Sequence, residues 1–153
     1  MNDQHPAIND LPGAAIRAAG PADAERIAAL LTDEGYPAGT SDIVVRLERF
    51  AGHDGGVIVA DVDGEVVGFV AIHLIPRFEH GDQVVRILAL VVDPGVRDRG
   101  IGRQLMDAVE GIGRERAAAF LEVTAGHHRP DARHLFESLG YDAGLTAYLR
   151  KRL

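Results

Sequence analysis

The chain contains no cysteine and no tryptophan in 153 residues, with three tyrosines and five phenylalanines. Without cysteine there are no disulfides, no thiolate zinc sites and no sulfur nucleophile. No apolar run approaches the ~20 residues that a membrane-spanning helix needs. Met1 to Leu11 lacks the basic start and apolar stretch of a signal peptide, so a cytoplasmic location and no membrane partner are expected. Positive charge is also scarce: 16 Lys and Arg stand against 23 Asp and Glu, a net charge of −7. That balance disfavours nucleic acid as a partner and suits a cationic one, such as an amine. Hydrophobic content of 46% with 25% charged residues is ordinary for a globular protein of one domain.

Local patterns divide the chain into strands and helices without repeats or low-complexity linkers. Met1 to about Gly13 has no period and is expected to be a flexible tail before a single domain over 14–153. Ile16–Ala19 reads as a first strand, and Ile27, Leu30 and Leu31 share a helical face over Ala22–Leu31. Ser41 is placed to cap a second helix carrying Ile43, Val44, Leu47 and Phe50. Val57–Asp61 and Glu65–Leu74 are strand runs whose connection contains Asp63-Gly64, a hairpin signal. A polar loop from Ile75 to Asp82 leads into a strand over Val84–Val92. A third helix is expected over about Gly100–Glu115, a fifth strand over Phe120–Thr124 and a fourth helix over Pro130–Leu139. One or two final strands follow, Ala147–Arg150 being the clearer. Together these patterns define an α/β domain, a mixed sheet flanked by helices.

The most informative stretch is Leu88-Ala-Leu-Val-Val-Asp-Pro-Gly-Val-Arg-Asp-Arg-Gly-Ile-Gly102. Its branched apolar run reads as a buried strand that Asp93-Pro94-Gly95 ends. A basic, glycine-bearing turn then enters a helix with Ile101, Leu105, Met106 and Val109 on one side. The start of a helix offers free N–H groups and partial positive charge, a natural place for phosphate. Gly100 and Gly102 carry no side chain to keep a ligand from that backbone. Arg97, Arg99 and Arg103 crowd the same end, where cations are disfavoured unless an anion sits between them. The alternative is a tight connection with its arginines in solvent. Two motifs are absent: the Gly-Lys-Ser/Thr of a Walker loop and the third glycine of a Rossmann fingerprint.

Arg97-x-x-Gly100-x-Gly102, following Leu88–Val92, resembles the pyrophosphate-binding motif of the GNAT (GCN5-related N-acetyltransferase) superfamily. Ile16-Arg17-Ala18-Ala19 with Ala22-Asp23-Ala24 resembles the family's opening strand and helix. Phe120-Leu121-Glu122-Val123-Thr124 resembles its fifth strand, and Arg129-x-x-Ala132 with Leu135–Tyr141 its last helix and turn. The likeness runs from about Ala15 to Lys151. It implies a mixed, mostly antiparallel sheet of six to seven strands with about four helices, and a wedge between the fourth and fifth strands. It also implies an acetyl-CoA-dependent N-acetyltransferase acting on a small-molecule or protein amine. With no cysteine, the acceptor would attack the thioester directly. Dimers are frequent in the family, so a homodimer is a further expectation.

The resemblance assigns residues to the donor side. Leu90, Val91 and Val92 would pair with the pantetheine arm, and the N–H of Val92 or Val91 would meet the thioester oxygen. Arg97, Asp98, Arg99, Gly100, Ile101 and Gly102 would wrap the pyrophosphate. Arg129 stands where many relatives carry an asparagine that touches pantetheine, and an arginine could instead reach phosphate or face solvent.

Proton transfer is where the chain departs from its relatives. Arg86 occupies the place of the glutamate base of the histone-acetylating branch. Glu122 matches the base of the branch that modifies ribosomal N-termini, although a strand carboxylate can equally pair with an arginine. His80, with Glu79 and Asp82, lies in the loop before the fourth strand; imidazole exchanges protons near neutral pH, and a solvated loop is the alternative. Phe136 replaces the usual tyrosine proton donor, leaving Tyr141 and Tyr148 as candidates without positional support. These departures also fit a weak or inactive acyl-CoA-binding regulatory module. His127, His128 and His134 lack a recognisable metal spacing, so no metal is expected.

Overall fold

Two residues with positive φ set the first hairpin: Asp63 at 52° and Gly64 at 88°. This is the backbone that a two-residue turn between twisted strands requires. The Gly64 N–H donates to the Asp61 carboxylate at 2.8 Å. The turn joins β2 (Gly55–Val62) to β3 (Glu65–Pro76) in a computed structural model that describes residues 14–125 and 130–153. The expected N-terminal tail over 1–13 lies outside the described residues.

Around this hairpin lie β1 (Ala14–Ala18), α1 (Ala24–Asp33), α2 (Thr40–Phe50), β4 (Gln83–Val92), α3 (Ile101–Glu115), β5 (Leu121–Val123) and α4 (Pro130–Ser138). The strands form one sheet in the order β1-β2-β3-β4-β5. All neighbours are antiparallel except β4 and β5, which run parallel. On one face Ile58, Val70, Ile72, Val85 and Ile87 pack with Leu105, Met106 and Val109 of α3 and Phe136 of α4. On the other, Val59, Val66, Phe69 and Val91 meet Ile27 and Leu30 of α1 and Ile43 of α2. Burial on both faces explains why β3 reads as a nearly continuous apolar run rather than an alternating one.

Gly68 sits where the first turns of α3 press against the sheet. A Cβ there would lie 3.1 Å from the Val91 carbonyl, 3.2 Å from Ile101 and 3.3 Å from Leu105. The glycine inside an otherwise branched strand thus marks helix contact, as mid-strand glycine often does.

Three expectations change. The sheet has five strands among the described residues, not six to seven. Ala147–Arg150 forms no strand, and Leu145, Tyr148, Leu149 and Leu153 are exposed. Apolar spacing supplies a face to bury, but a strand also needs a neighbour to pair its N–H and C=O groups, and no described strand pairs with this segment. Ser41 is not the cap of α2. The helix starts at Thr40, and the Asp42 side chain reaches back to accept from the Gly39 N–H at 2.8 Å.

Candidate active site

The parallel pairing of β4 with β5 is short, joining Val85 to Leu121, Arg86 to Glu122 and Ile87 to Val123. Residues 88–92 of β4 therefore have no partner in β5. At the point where the strands part, β3 and β4 lose register. Ala71 pairs with Ala89 but Ile72 with Ile87, so Leu88 is an extra, half-exposed residue. Such a bulge bends a strand and re-aims its groups. Leu90, Val91 and Val92 lie along the open part of this edge, with Val91 buried against the α1–α2 layer.

That edge runs directly into the start of α3. Asp93 holds the exit from β4, accepting from the Gly95 N–H at 2.9 Å and pairing with Arg26 of α1. Asp98 and Gly100 then take left-handed backbone, with φ of 64° and 79°. Gly100 is the N-cap of α3, and the first helical bond runs from the Gln104 N–H to the Gly100 carbonyl at 2.9 Å. The N–H groups of Ile101, Gly102 and Arg103 precede that bond and have no intrahelical acceptor. At Gly102 the space of a side chain is taken by Leu135 of α4, 3.2 Å from where a Cβ would stand. This glycine admits α4, a role its motif position does not reveal.

The three arginines divide. Arg97 forms an ion pair with Glu34, the C-terminal cap of α1. Arg99 and Arg103 are exposed and make no ion pair or hydrogen bond among the described residues. Arg129 lies outside the described residues, as do His127 and His128. The open β4 edge, the unpaired amides and the unpartnered guanidiniums suit an extended ligand with a pyrophosphate at one end.

On the sheet face toward α1 and α2, three registered residues form a row: His73 of β3, Arg86 of β4 and Glu122 of β5. Arg86 Nη1 donates to Glu122 Oε1 at 3.2 Å, with the two side chains 30% and 38% exposed. His73 stands edge-on to Phe50 at the end of α2, ring centroids 6.0 Å apart. Glu122 is thus both beside the opening of the wedge and engaged by an arginine. His80 is elsewhere, exposed in the loop 77–82. Arg77 clamps that loop by a fork to Asp82 at 2.7 and 2.5 Å, with its guanidinium 5.0 Å from the Phe120 ring centre. The clamp holds the Asp82 carboxyl below the usual carboxylate range. No hydrogen bond joins His80 to Glu122.

Phe136 is buried, 5.3 Å from the Tyr141 ring, and has no proton to give. The Tyr141 hydroxyl is buried without a hydrogen-bond partner among the described residues, and burial pushes its pKa up to about 12. Tyr148 is exposed and receives a hydrogen bond from Arg150 Nε at 3.3 Å.

Residues 24–141 match the model of the Acetyltransferase (GNAT) family, and the chain belongs to that family. It is 29% identical over 104 residues to the uncharacterized N-acetyltransferase YhfO of Bacillus subtilis, spanning 65% of this chain and 68% of that one. It is 33% identical over 79 residues to the aminoalkylphosphonate N-acetyltransferase of Salmonella typhimurium, covering 52% of this chain and 51% of that protein. A structure titled transcriptional regulator, from Bacillus halodurans C-125, superposes with a TM-score of 0.83 at 23% identity, covering 91% of this chain and 99% of that one. At that identity the likeness speaks for the fold alone.

Proposed function

We propose that this protein is an acetyl-CoA-dependent N-acetyltransferase that moves an acetyl group to a primary amine by direct attack. The observation that carries the proposal is the continuity of the open β4 edge, residues 88–92, with the amide-rich start of α3. Leu90–Val92 would hold the pantetheine arm by backbone hydrogen bonds, and the N–H of Val91 or Val92 would hold the thioester oxygen. The amides of Ile101–Arg103, with Arg97 and Arg99, would hold the pyrophosphate. When bound, acetyl-CoA supplies a thioester whose carbon–sulfur bond breaks as the nitrogen–carbon bond forms, the electron pair leaving on sulfur. Glu122, next to the opening, would take the ammonium proton. A thiol of pKa near ~8.5 leaves without help, so Phe136 is no obstacle. The setting inferred is cytoplasmic, and among the described residues no helix is long and apolar enough to cross a membrane.

The likeness to an aminoalkylphosphonate N-acetyltransferase supports a small amine as acceptor. One observation favours a second reading, an acyl-CoA-binding module: Glu122, the carboxylate nearest the opening, is tied to Arg86. Release of free thiol from acetyl-CoA with a panel of amines separates the two. Acceptor-dependent thiol supports the enzyme; tight acetyl-CoA binding with no such thiol across the panel supports the module.

A further inference from the structure

Unlike Arg17 or Arg77, Arg86 leaves most of its hydrogen-bonding capacity unused. Arg17 spans Asp23 with two bonds of 2.8 and 2.9 Å and also reaches Asp61 at 3.0 Å. Arg77 forks onto Asp82 through two nitrogens. Arg86 offers one N–H to one oxygen of Glu122, at 3.2 Å. Its Nε and Nη2 have no partner among the described residues, and neither has Glu122 Oε2. A guanidinium has five donors in a fork that matches a carboxylate or phosphate, so a single long contact leaves room for a better anion.

Its place gives that spare capacity a use. Arg86 and Glu122 form the pair immediately before Ile87 and Val123, where β4 and β5 part. A donor with its phosphates at the start of α3 and its arm running back along the open β4 edge directs its acyl group toward this fork. The amine must come to the same point. On the α1–α2 face it meets His73, Arg86 and Glu122 in one row, a cation and an anion side by side.

Resting on the N-acetyltransferase proposal above, we propose that Arg86 anchors the acceptor, and that the acceptor is a small primary amine also bearing a carboxylate or phosphate. The acidic group of the acceptor takes the Arg86 fork and releases Glu122. Glu122 then accepts a proton from the acceptor's ammonium, and the freed amine attacks the acyl carbon. The nitrogen–carbon bond forms, the carbon–sulfur bond breaks with its electron pair going to sulfur, and the proton that the nitrogen sheds in becoming an amide ends on the departing thiolate. A neutral-tailed amine offers Arg86 no replacement. Protonating Glu122 would then leave a half-buried guanidinium without its counter-charge.

Two matched pairs of acceptors test this with acetyl-CoA: β-alanine against β-alaninamide, and O-phosphoethanolamine against ethanolamine. The anionic member of one pair should have the higher kcat/KM by about tenfold, the scale of one charge-assisted contact, and the pair that responds identifies carboxylate or phosphate. Arg86→Gln should bring that ratio close to one, and Arg86→Lys, which keeps the charge without the fork, should restore part of it. Equal or better use of the neutral amines, or a preference that survives Arg86→Gln, overturns the proposal. Should no amine release thiol, the acetyl-transfer reading fails instead, and binding decides the anchor. A saturable thermal shift with O-phosphoethanolamine or β-alanine that Arg86→Gln removes upholds it; no shift with either overturns it. A melting curve of each variant separates loss of the anchor from loss of the fold.

Discussion

Arg97 lays its guanidinium on the carboxylate of Glu34, fastening the turn before α3 to the C-terminal end of α1. The Glu34 side chain is only 10% exposed, whereas Arg97 is open to solvent. The arginine that the family motif assigns to pyrophosphate is thus held by a carboxylate from a different layer of the molecule.

If the pyrophosphate lies where proposed, Glu34 competes with it for Arg97. Arg97→Ala should weaken acetyl-CoA binding by about tenfold or more, the scale of a charge-assisted hydrogen bond. Glu34→Gln should act in the opposite direction, tightening binding by roughly two- to fivefold, because surface ion pairs are worth about 0.2–1 kcal/mol. Calorimetric titration with acetyl-CoA checks both signs; weakening by Glu34→Gln would show that the pair builds the site rather than competes with it.

Asp23 supplies a pH-dependent part of the stability. It is buried, accepts the Arg17 fork, and also accepts from the Gly20 N–H at 2.8 Å. The Arg17 guanidinium holds its carboxyl below the usual carboxylate range, against the opposing effect of burial. A depressed folded pKa stabilises above the unfolded value near ~3.9 and is lost as pH falls through the lower folded one. Asp23→Asn should destabilise by about 1–3 kcal/mol at pH 7. The difference from wild type should shrink below about pH 4, as denaturant titrations at pH 7 and pH 3 would measure.

Gly68→Ala should cost about 1–3 kcal/mol through overpacking, since the added methyl meets a backbone carbonyl and two side chains of α3. Gly111, on the same helix, has open space around it, so Gly111→Ala should be neutral or stabilising. Thermal melts of the two variants compare them directly.

Tyr141→Phe removes a buried hydroxyl that has no partner among the described residues. Its ring packing against Phe136 is kept. The substitution should therefore be neutral or raise stability by up to about 1 kcal/mol, because an unsatisfied buried donor is a cost. A loss of acetyl transfer with unchanged stability would instead make Tyr141 a proton donor, which its pKa of about 12 disfavours.

Much of the architecture was legible in local sequence. Asp63-Gly64 specified its hairpin, and the apolar run ending at Asp93-Pro94-Gly95 specified the strand before α3. Helix spacing from Ile101 onward placed α3 to within a residue. Ser41 misled because the helix begins one residue earlier, at Thr40, where the Asp42 side chain reaches back to the Gly39 N–H. Ala147–Arg150 misled because branched and aromatic residues show only that a segment suits a sheet, not that it pairs with one. Gly68 carried a signal, a glycine amid branched residues, whose meaning required knowing that α3 crosses there.

The sequence alone determined the order of elements, the glycine-bearing turn of Arg97–Gly102 and the family to which both belong, because turn chemistry and periodicity act over a few residues. Tertiary structure alone decided what those residues touch. Glu34 lies 63 residues from Arg97, and Glu122 lies 36 from Arg86. Strand register set the second pair, where a slip of one residue would have put the two side chains on opposite faces. The packing of α1 against the end of β4 set the first. Such pairings depend on how whole elements fit together, and so the glycine-bearing turn was readable in advance while the charge partner of its arginine was not.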